Sequence, residues 1–99
     1  MKLIGIDPGI AGGLSGLDLQ EKTLWAIPTP TYKNLKGKSE YDIAQIAHIL
    51  RQINPDRICI ERVHSMPGQG VASTFLFGKG FGILLGIIGA LGYPLTLVT

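Results

Sequence analysis

The sequence contains little cysteine and little charge, and both shortages narrow the classes of protein it can belong to. Cys59 is the one cysteine in 99 residues, so the chain cannot form an internal disulfide. Its position inside an apolar stretch predicts a buried, inert thiol and a reducing compartment. Charged residues make up 16% of the chain and hydrophobic residues 45%, which excludes a disordered segment and predicts one globular domain. The net charge of +2 permits a nucleic-acid partner without requiring one.

The chain also lacks the features of a secretion signal. Met1 and Lys2 run directly into a short apolar stretch, without the basic region, long apolar region and cleavage site of a signal peptide. We therefore expect a cytoplasmic protein. Residues 80–99 carry no charge over twenty positions, which is the length of a membrane span. Glycine and proline at residues 92–94 interrupt this stretch, so we expect a buried helix followed by a buried strand, and no membrane partner.

Two apolar stretches of the sequence end in a carboxylate. Residues 2–13 read KLIGIDPGIAGG, a short predicted strand that ends at Asp7 and passes into a glycine-rich turn. Arg57–Glu61 reads RICIE, a second predicted strand that ends at Glu61. A carboxylate at the end of a buried strand needs water, a partner or a metal ion nearby. The alternative for Asp7 is that its side chain only caps its own turn.

The stretch between these two carboxylates is predicted to form a hairpin, a loop and a helix. Residues 13–18 and 23–27 read as two further strands, which pair antiparallel with the first, and residues 28–39 read as a loop. Ser39, with Asp42 three residues later, resembles a capping box at the start of a helix. The apolar residues that follow recur at helical spacing, so one face of this helix should pack on the sheet.

This helix determines where the two carboxylates meet. A helix that connects two strands of one sheet normally makes those strands parallel. Asp7 and Glu61 are therefore expected at the same edge of the sheet, on strands ~4.8 Å apart, where they could share one divalent ion.

The rest of the chain is predicted to form a loop, a long helix and a last strand, at residues 62–70, 71–92 and 95–99. Small residues recur every four positions along this second helix and could let another backbone approach closely. They are Gly78, Gly82, Gly86 and Ala90. The large residues around them are apolar on all sides, which predicts burial against the sheet and against a second surface. The alternative is that the glycines only let the helix lie close to its own sheet.

The order of three strands, a helix, a strand, a helix and a strand resembles the ribonuclease H-like fold. This fold implies an α/β domain with a five-stranded mixed sheet, three antiparallel strands followed by two parallel ones, and helices packed on it. Three segments resemble, more narrowly, the RuvC family of Holliday junction resolvases. They are GIDPG at residues 5–9, IERV at residues 60–63, and HSMPGQGVASTFLFGKGFG at residues 64–82.

The resemblance implies a divalent-metal-dependent, structure-selective endonuclease that resolves four-way DNA junctions by phosphodiester hydrolysis. Asp7 and Glu61 match the first two catalytic, metal-binding carboxylates of the family, whose cofactor is Mg²⁺ or Mn²⁺, with no nucleotide cofactor. The family acts as a homodimer, and we expect the small-residue row of the second helix at the interface. The expected DNA contacts combine residues of the family's junction-binding region with three lysines of the predicted loop, for which a solvated loop is the alternative. They are Lys33, Lys36, Lys38, Arg62, His64, Met66, Gln69, Phe75 and Lys79.

The sequence departs from the family pattern in one respect. The family completes its site with two further residues on a helix after the fifth strand, and no such acidic pair follows residue 95. We therefore expect residues 1–99 to be a single nuclease domain that is incomplete at its C-terminus. One alternative is a homologue or fragment that binds junctions without cutting them. A second is the nucleotide-binding half of an actin-like kinase, against which the short chain argues.

Overall fold

A computed structural model describes residues 1–62, 68 and 70–99, and a five-stranded mixed sheet forms its centre. In chain order, the elements are β1 (Lys2–Asp7), β2 (Gly13–Asp18), β3 (Thr23–Pro28), β4 (Thr31–Lys33), β5 (Ser39–Tyr41), α1 (Ile43–Ile53), β6 (Arg57–Glu61), α2 (Val71–Leu91) and β7 (Leu95–Val98). The strands of the main sheet lie in the order β3-β2-β1-β6-β7. Antiparallel pairing joins β1, β2 and β3, whereas β6 pairs parallel with both β1 and β7. The predicted mixed sheet is confirmed, including the crossover that makes β1 and β6 parallel neighbours.

The segment between β3 and α1 differs from its prediction as a loop. It contains β4 and β5, which form a separate two-stranded antiparallel sheet. The side chain of Asn34 builds the turn between them, because its Oδ1 accepts hydrogen bonds from the amides of Lys36 and Lys38 at 2.9 and 3.0 Å. Gly37 completes the turn at φ +76°, a conformation that favours glycine. This polar stretch therefore forms a hairpin, and the side chain of Asn34 stabilises its turn.

The predicted capping box at the start of α1 is wrong by three residues. Ser39 lies in β5, and Asp42 is the N-cap, since its Oδ1 accepts a hydrogen bond from the amide of Gln45 at 3.1 Å. The helix ends at Asn54, which adopts the left-handed conformation and donates its amide to the carbonyl of Leu50 at 2.8 Å.

One face of the main sheet carries the hydrophobic core. Register places Ile4 beside Ile58 and Ile6 beside Ile60, and all four side chains are buried on the same face. Buried residues of both helices complete this cluster: Ile46 and Leu50 from α1, and Leu84, Ile87 and Ile88 from α2. None of the described strand residues on the opposite face is fully buried. Both helices thus pack on one side of the sheet and leave the other side more exposed.

Helix α2 is less buried than its composition predicts. Its buried residues all lie in its second half, and the first half projects beyond the sheet with Phe75 at 68% exposure and Leu76 at 64%. Within the described part of the chain, α2 is the one helix that is long and apolar enough to cross a membrane, a test that core helices of soluble proteins also pass. Gly92 ends it in the left-handed conformation, and β7 then begins at the sheet edge.

Candidate metal centre and nucleic-acid interface

Asp7 and Glu61 lie side by side at the carboxyl edge of the sheet. The parallel register pairs Ile6 with Ile60, so the two acids are the next residues on adjacent strands. Side chains of laterally paired strand residues share a face, and adjacent strands are ~4.8 Å apart. Because Ile6 and Ile60 point into the core, alternation places both acids on the opposite, more exposed face. Two adjacent carboxylates are the hard oxygen donors that Mg²⁺ and Mn²⁺ prefer, so these residues fit a divalent ion.

A tight turn at residues 7–12 follows Asp7. The amide of Gly12 donates to the carbonyl of Gly9 at 3.0 Å, and the carbonyl of Gly12 accepts from the amide of Thr29 at 3.2 Å. Gly9 adopts φ +114°, a region that side chains rarely enter. A Cβ at position 12 would lie 2.9 Å from the carbonyl carbon of Asp7 and 3.1 Å from the carbonyl oxygen of Gly9. The glycines therefore permit the chain to fold back directly against the backbone of Asp7.

Tyr41 closes the turn from the side of β5. Its hydroxyl accepts a hydrogen bond from the amide of Gly9 at 2.7 Å, and its side chain is buried. Burial raises the pKa of Tyr41, the charge of Asp7 raises this pKa further, and the Gly9 amide opposes the rise. Sequence patterns did not indicate this residue, which lies between Ser39 and Asp42 of the predicted capping box. The signal is three-dimensional, since 32 positions separate the two partners.

A cavity of about 420 Å³ adjoins Asp7. The turn at residues 7–12, Tyr41 and the first half of α2 line it. Most of this lining is apolar, and Ser73 supplies a hydroxyl group on the helix side. This recess between the turn and the first half of α2 therefore adjoins Asp7, whereas Glu61 does not line it.

The number of acidic side chains at this edge limits the chemistry. In residues 1–62, 68 and 70–99, no group of three or more His, Cys, Asp or Glu side chains is arranged to hold a metal ion. Asp7 and Glu61 could hold one ion with water molecules completing its octahedron. Two ions ~3.5–4 Å apart need more carboxylate oxygens than this pair supplies.

The expected DNA-contacting lysines occupy two places. Lys33, Lys36 and Lys38 are exposed in the β4–β5 hairpin, where the Nζ of Lys33 donates to Ser39 Oγ at 2.9 Å. Lys79 lies on α2 and forms a salt bridge of 3.5 Å with Glu40 of β5. A side-chain hydrogen bond from Asn34 lowers the pKa of Glu40, and the charge of Lys79 lowers it further while burial opposes both.

The structure describes two of the remaining five residues that were expected to contact DNA. Arg62 is exposed directly after Glu61, and its amide donates to the carbonyl of Val98 at 2.7 Å. Phe75 is exposed on α2. His64, Met66 and Gln69 lie outside the described residues.

The small-residue row on α2 faces away from the sheet. Gly78, Gly82, Gly86 and Ala90 are all exposed. Among the described residues, no heavy atom outside the neighbouring helix backbone lies within 4 Å of a Cβ built at any of the three glycines. The row is therefore not explained by close packing of α2 on its own sheet. A role in dimerisation stays a prediction.

Comparison with solved structures identifies the fold. The chain superposes on Thermus thermophilus RuvC in complex with a Holliday junction substrate with a TM-score of 0.66 and 19% identity, over 99% of this chain and 65% of that one. A second Thermus thermophilus RuvC structure gives a TM-score of 0.63 and 21% identity, over 99% of this chain and 63% of that one. For the yeast mitochondrial Holliday junction resolvase Ydc2, the values are 0.51 and 17%, over 96% and 48% of the two chains. Searches of protein-family models and of curated proteins found no match.

These similarities define the class of fold. The chain has a ribonuclease H-like α/β fold, and its strands and helices are arranged as in the RuvC structures. It spans 65% and 63% of the lengths of the two Thermus RuvC chains.

Proposed function

We propose that this protein is a RuvC-like, divalent-metal-dependent endonuclease that acts on four-way DNA junctions. The observation that carries the proposal is the parallel register of β1 and β6, which puts Asp7 and Glu61 at one sheet edge within a RuvC-like fold. Two solved structures of that fold are described as a RuvC bound to a Holliday junction and as a Holliday junction resolvase. Adjacent carboxylates at an exposed edge are suited to a cation that binds phosphate.

Asp7 and Glu61 would hold the Mg²⁺ or Mn²⁺ ion in this reaction. When bound, such an ion neutralises charge on the scissile phosphate and makes a coordinated water more acidic. The lysines of the β4–β5 hairpin would bind backbone phosphates of a junction arm. The exposed ring of Phe75 would contact bases that are opened near the crossover, since unstacked bases pack on aromatic side chains.

Junction cleavage tests the catalytic proposal. The protein should cut a labelled four-way junction in Mn²⁺ and leave a linear duplex of the same sequence intact. Asp7→Asn and Glu61→Gln should each abolish cutting. Asp56→Asn is the matched control, because Asp56 accepts a hydrogen bond from the amide of Lys2 at 2.7 Å and lies before β6, at the opposite end of that strand. Cutting that persists in both Asp7→Asn and Glu61→Gln would refute the assignment of the site.

A second candidate function is junction binding without cleavage. The shortage of metal ligands favours it, since no group of three or more candidate ligands occurs in the described part of the chain. Under this alternative, the wild-type protein retards a four-way junction more strongly than a duplex in a gel and yields no cut product at any Mn²⁺ concentration. Asp7→Asn would then leave the junction affinity in EDTA unchanged.

We also propose that the protein is a homodimer joined through the exposed face of α2. Gly78, Gly82, Gly86 and Ala90 lie on this face of an apolar helix, and all four are exposed. Monomeric proteins rarely expose apolar patches beyond a few hundred Å². A two-fold contact between these helices would cover the patch on both chains at once.

A further inference from the structure

Tyr41 connects three elements at the candidate metal centre. It is the last residue of β5, and its hydroxyl accepts the partly buried Gly9 hydrogen bond of 2.7 Å. Gly9 is two residues beyond Asp7, inside the turn that leads the chain away from the end of β1. The ring also contacts α2, because a Cβ at Gly80 would lie 3.0 Å from Cε2 of Tyr41 and 3.5 Å from its hydroxyl oxygen.

We propose that Tyr41 is a positioning residue, whose hydroxyl fixes the turn at residues 7–12 so that the carboxylate of Asp7 stays beside Glu61. The inference rests on the proposed function and adds a residue to it. A glycine-rich turn loses more conformational entropy on ordering than other turns, so its geometry depends on contacts from outside. The partly buried hydrogen bond to Gly9 supplies such a contact, and a donor that loses its partner away from water is costly.

The same tyrosine joins the candidate metal centre to the basic hairpin. Glu40 and Tyr41 are consecutive in β5, and Lys79 and Gly80 are consecutive in α2. The salt bridge of 3.5 Å and the packing of the Tyr41 ring therefore hold β5 against α2 at two successive positions. Tyr41 also contacts the turn that follows Asp7. The unit held together in this way contains both the hairpin with Lys36 and Lys38 and the proposed metal ligand Asp7.

A purely structural role for Tyr41 is the competing explanation, and Tyr93 allows the two to be separated. Tyr93 is also partly buried, and its hydroxyl donates to the carbonyl of Leu50 at 3.1 Å. It lies just before β7, at the edge of the sheet opposite Asp7. Removing either hydroxyl deletes one partly buried hydrogen bond, but only Tyr41 contacts the turn.

The experiment compares the wild-type protein with Tyr41→Phe and Tyr93→Phe. Amide exchange measured by NMR reports the hydrogen bond of Gly9, and calorimetric titration with Mn²⁺ reports the metal site. In Tyr41→Phe, we expect faster exchange at Gly9 and a Mn²⁺ dissociation constant weaker by about tenfold, the lower end of typical effects for residues that support metal ligands. In Tyr93→Phe, both quantities should equal those of the wild type, although thermal stability falls in both variants.

A dissociation constant in Tyr41→Phe within twofold of the wild type would overturn the proposal. If the wild-type protein binds no Mn²⁺, the proposed metal site fails, and the amide resonances of Asp7 and Gly9 then decide the inference. Their displacement in Tyr41→Phe alone supports it, and their constancy overturns it. Gly80→Ala is the second variant, since it keeps the hydroxyl but presses a methyl group against the Tyr41 ring. It should weaken Mn²⁺ binding in the same direction and by less, and an unchanged affinity would contradict the proposed contact.

Discussion

The substitution Gly86→Leu is expected to prevent dimerisation of this protein without preventing its folding. Gly86 is exposed on α2, and among the described residues no heavy atom outside the neighbouring helix backbone lies within 4 Å of a Cβ at this position. The Cβ of a leucine at this position therefore meets no obstacle among the residues that the structure describes. If the row of Gly78, Gly82, Gly86 and Ala90 packs against the same row of a partner, the leucine would hold the two helices apart.

The change in stability of the monomer can be worked out from the helix alone. Glycine in a helix interior is about 0.8–1.0 kcal/mol less favourable than alanine, and leucine is close to alanine. Since Gly86 has no packing to lose, the variant monomer should be more stable by about 0.8 kcal/mol. For a chain of this length, that gain corresponds to a rise in Tm of at least about 3 °C.

Sedimentation and thermal unfolding together provide the assay. At high micromolar concentration, the wild-type protein should sediment as a dimer and Gly86→Leu as a folded monomer with a higher Tm than the dissociated wild type. Ile87→Ala is the contrasting variant, because Ile87 is buried in the core at 8% exposure and its truncation should destabilise the fold. A wild-type monomer at this concentration would refute the dimer. A Gly86→Leu chain that unfolds would refute the open space around Gly86.

Three further predictions concern the turn, the first helix and the hairpin. Gly12→Ala should lower both Tm and Mn²⁺ affinity, because its Cβ would lie 2.9 Å from the carbonyl carbon of Asp7; unchanged values would show that the turn can yield. Asp42→Ala should cost about 1 kcal/mol in urea unfolding through loss of the N-cap, and a loss below 0.3 kcal/mol, roughly, would contradict the assignment of this cap. Lys36→Gln should reduce the log–log salt slope of junction binding by about 0.9, whereas Lys22→Gln, in the β2–β3 turn, should leave it unchanged; equal slopes for both variants would remove the hairpin from the interface.

The main sheet could be predicted from the sequence because its rules are local or topological. Apolar strands alternate with turn residues, and the helix between Asp7 and Glu61 imposes a parallel crossover. The β4–β5 hairpin could not be predicted in the same way. Its turn depends on two hydrogen bonds from the side chain of Asn34, and its strands have three residues each. Hydrophobic periodicity carries no signal over so short a distance.

The burial of α2 could be predicted only in part: its second half packs on the sheet as expected, whereas cover by a second surface stays a prediction. Apolar residues surround this helix, so composition shows that it is hydrophobic but not which face docks. The sheet selects the face that carries Leu84, Ile87 and Ile88. The glycine row is left on the opposite side. Tertiary packing determines which face of the helix docks on the sheet. A helix that is apolar on all sides gives no sequence signal for that face.

The candidate site, like the fold, could be predicted from the sequence only in part. Asp7 and Glu61 could be found because each ends an apolar strand. Tyr41 could not be found in this way, because its contact with Gly9 spans 32 positions and depends on the β4–β5 hairpin, which was not predicted. The two expected metal ligands could therefore be recognised in the sequence as strand ends. Tyr41, which is proposed to position Asp7, could not.

The lysines of α2 and of the β4–β5 hairpin differ in how freely they can bind a DNA phosphate. Lys79 forms a salt bridge with Glu40, and the hydrogen bond from Asn34 and the charge of Lys79 lower the pKa of this carboxyl group. A phosphate must displace Glu40 to use Lys79, although an exposed ion pair of this kind is worth only about 0–1 kcal/mol. In the part of the chain that the structure describes, no salt bridge engages Lys36. The hairpin tip is therefore the more accessible source of positive charge, and Tyr41, at the base of the hairpin, contacts the turn that follows Asp7. A phosphate bound at the tip would accordingly be held in a defined position relative to the carboxylates.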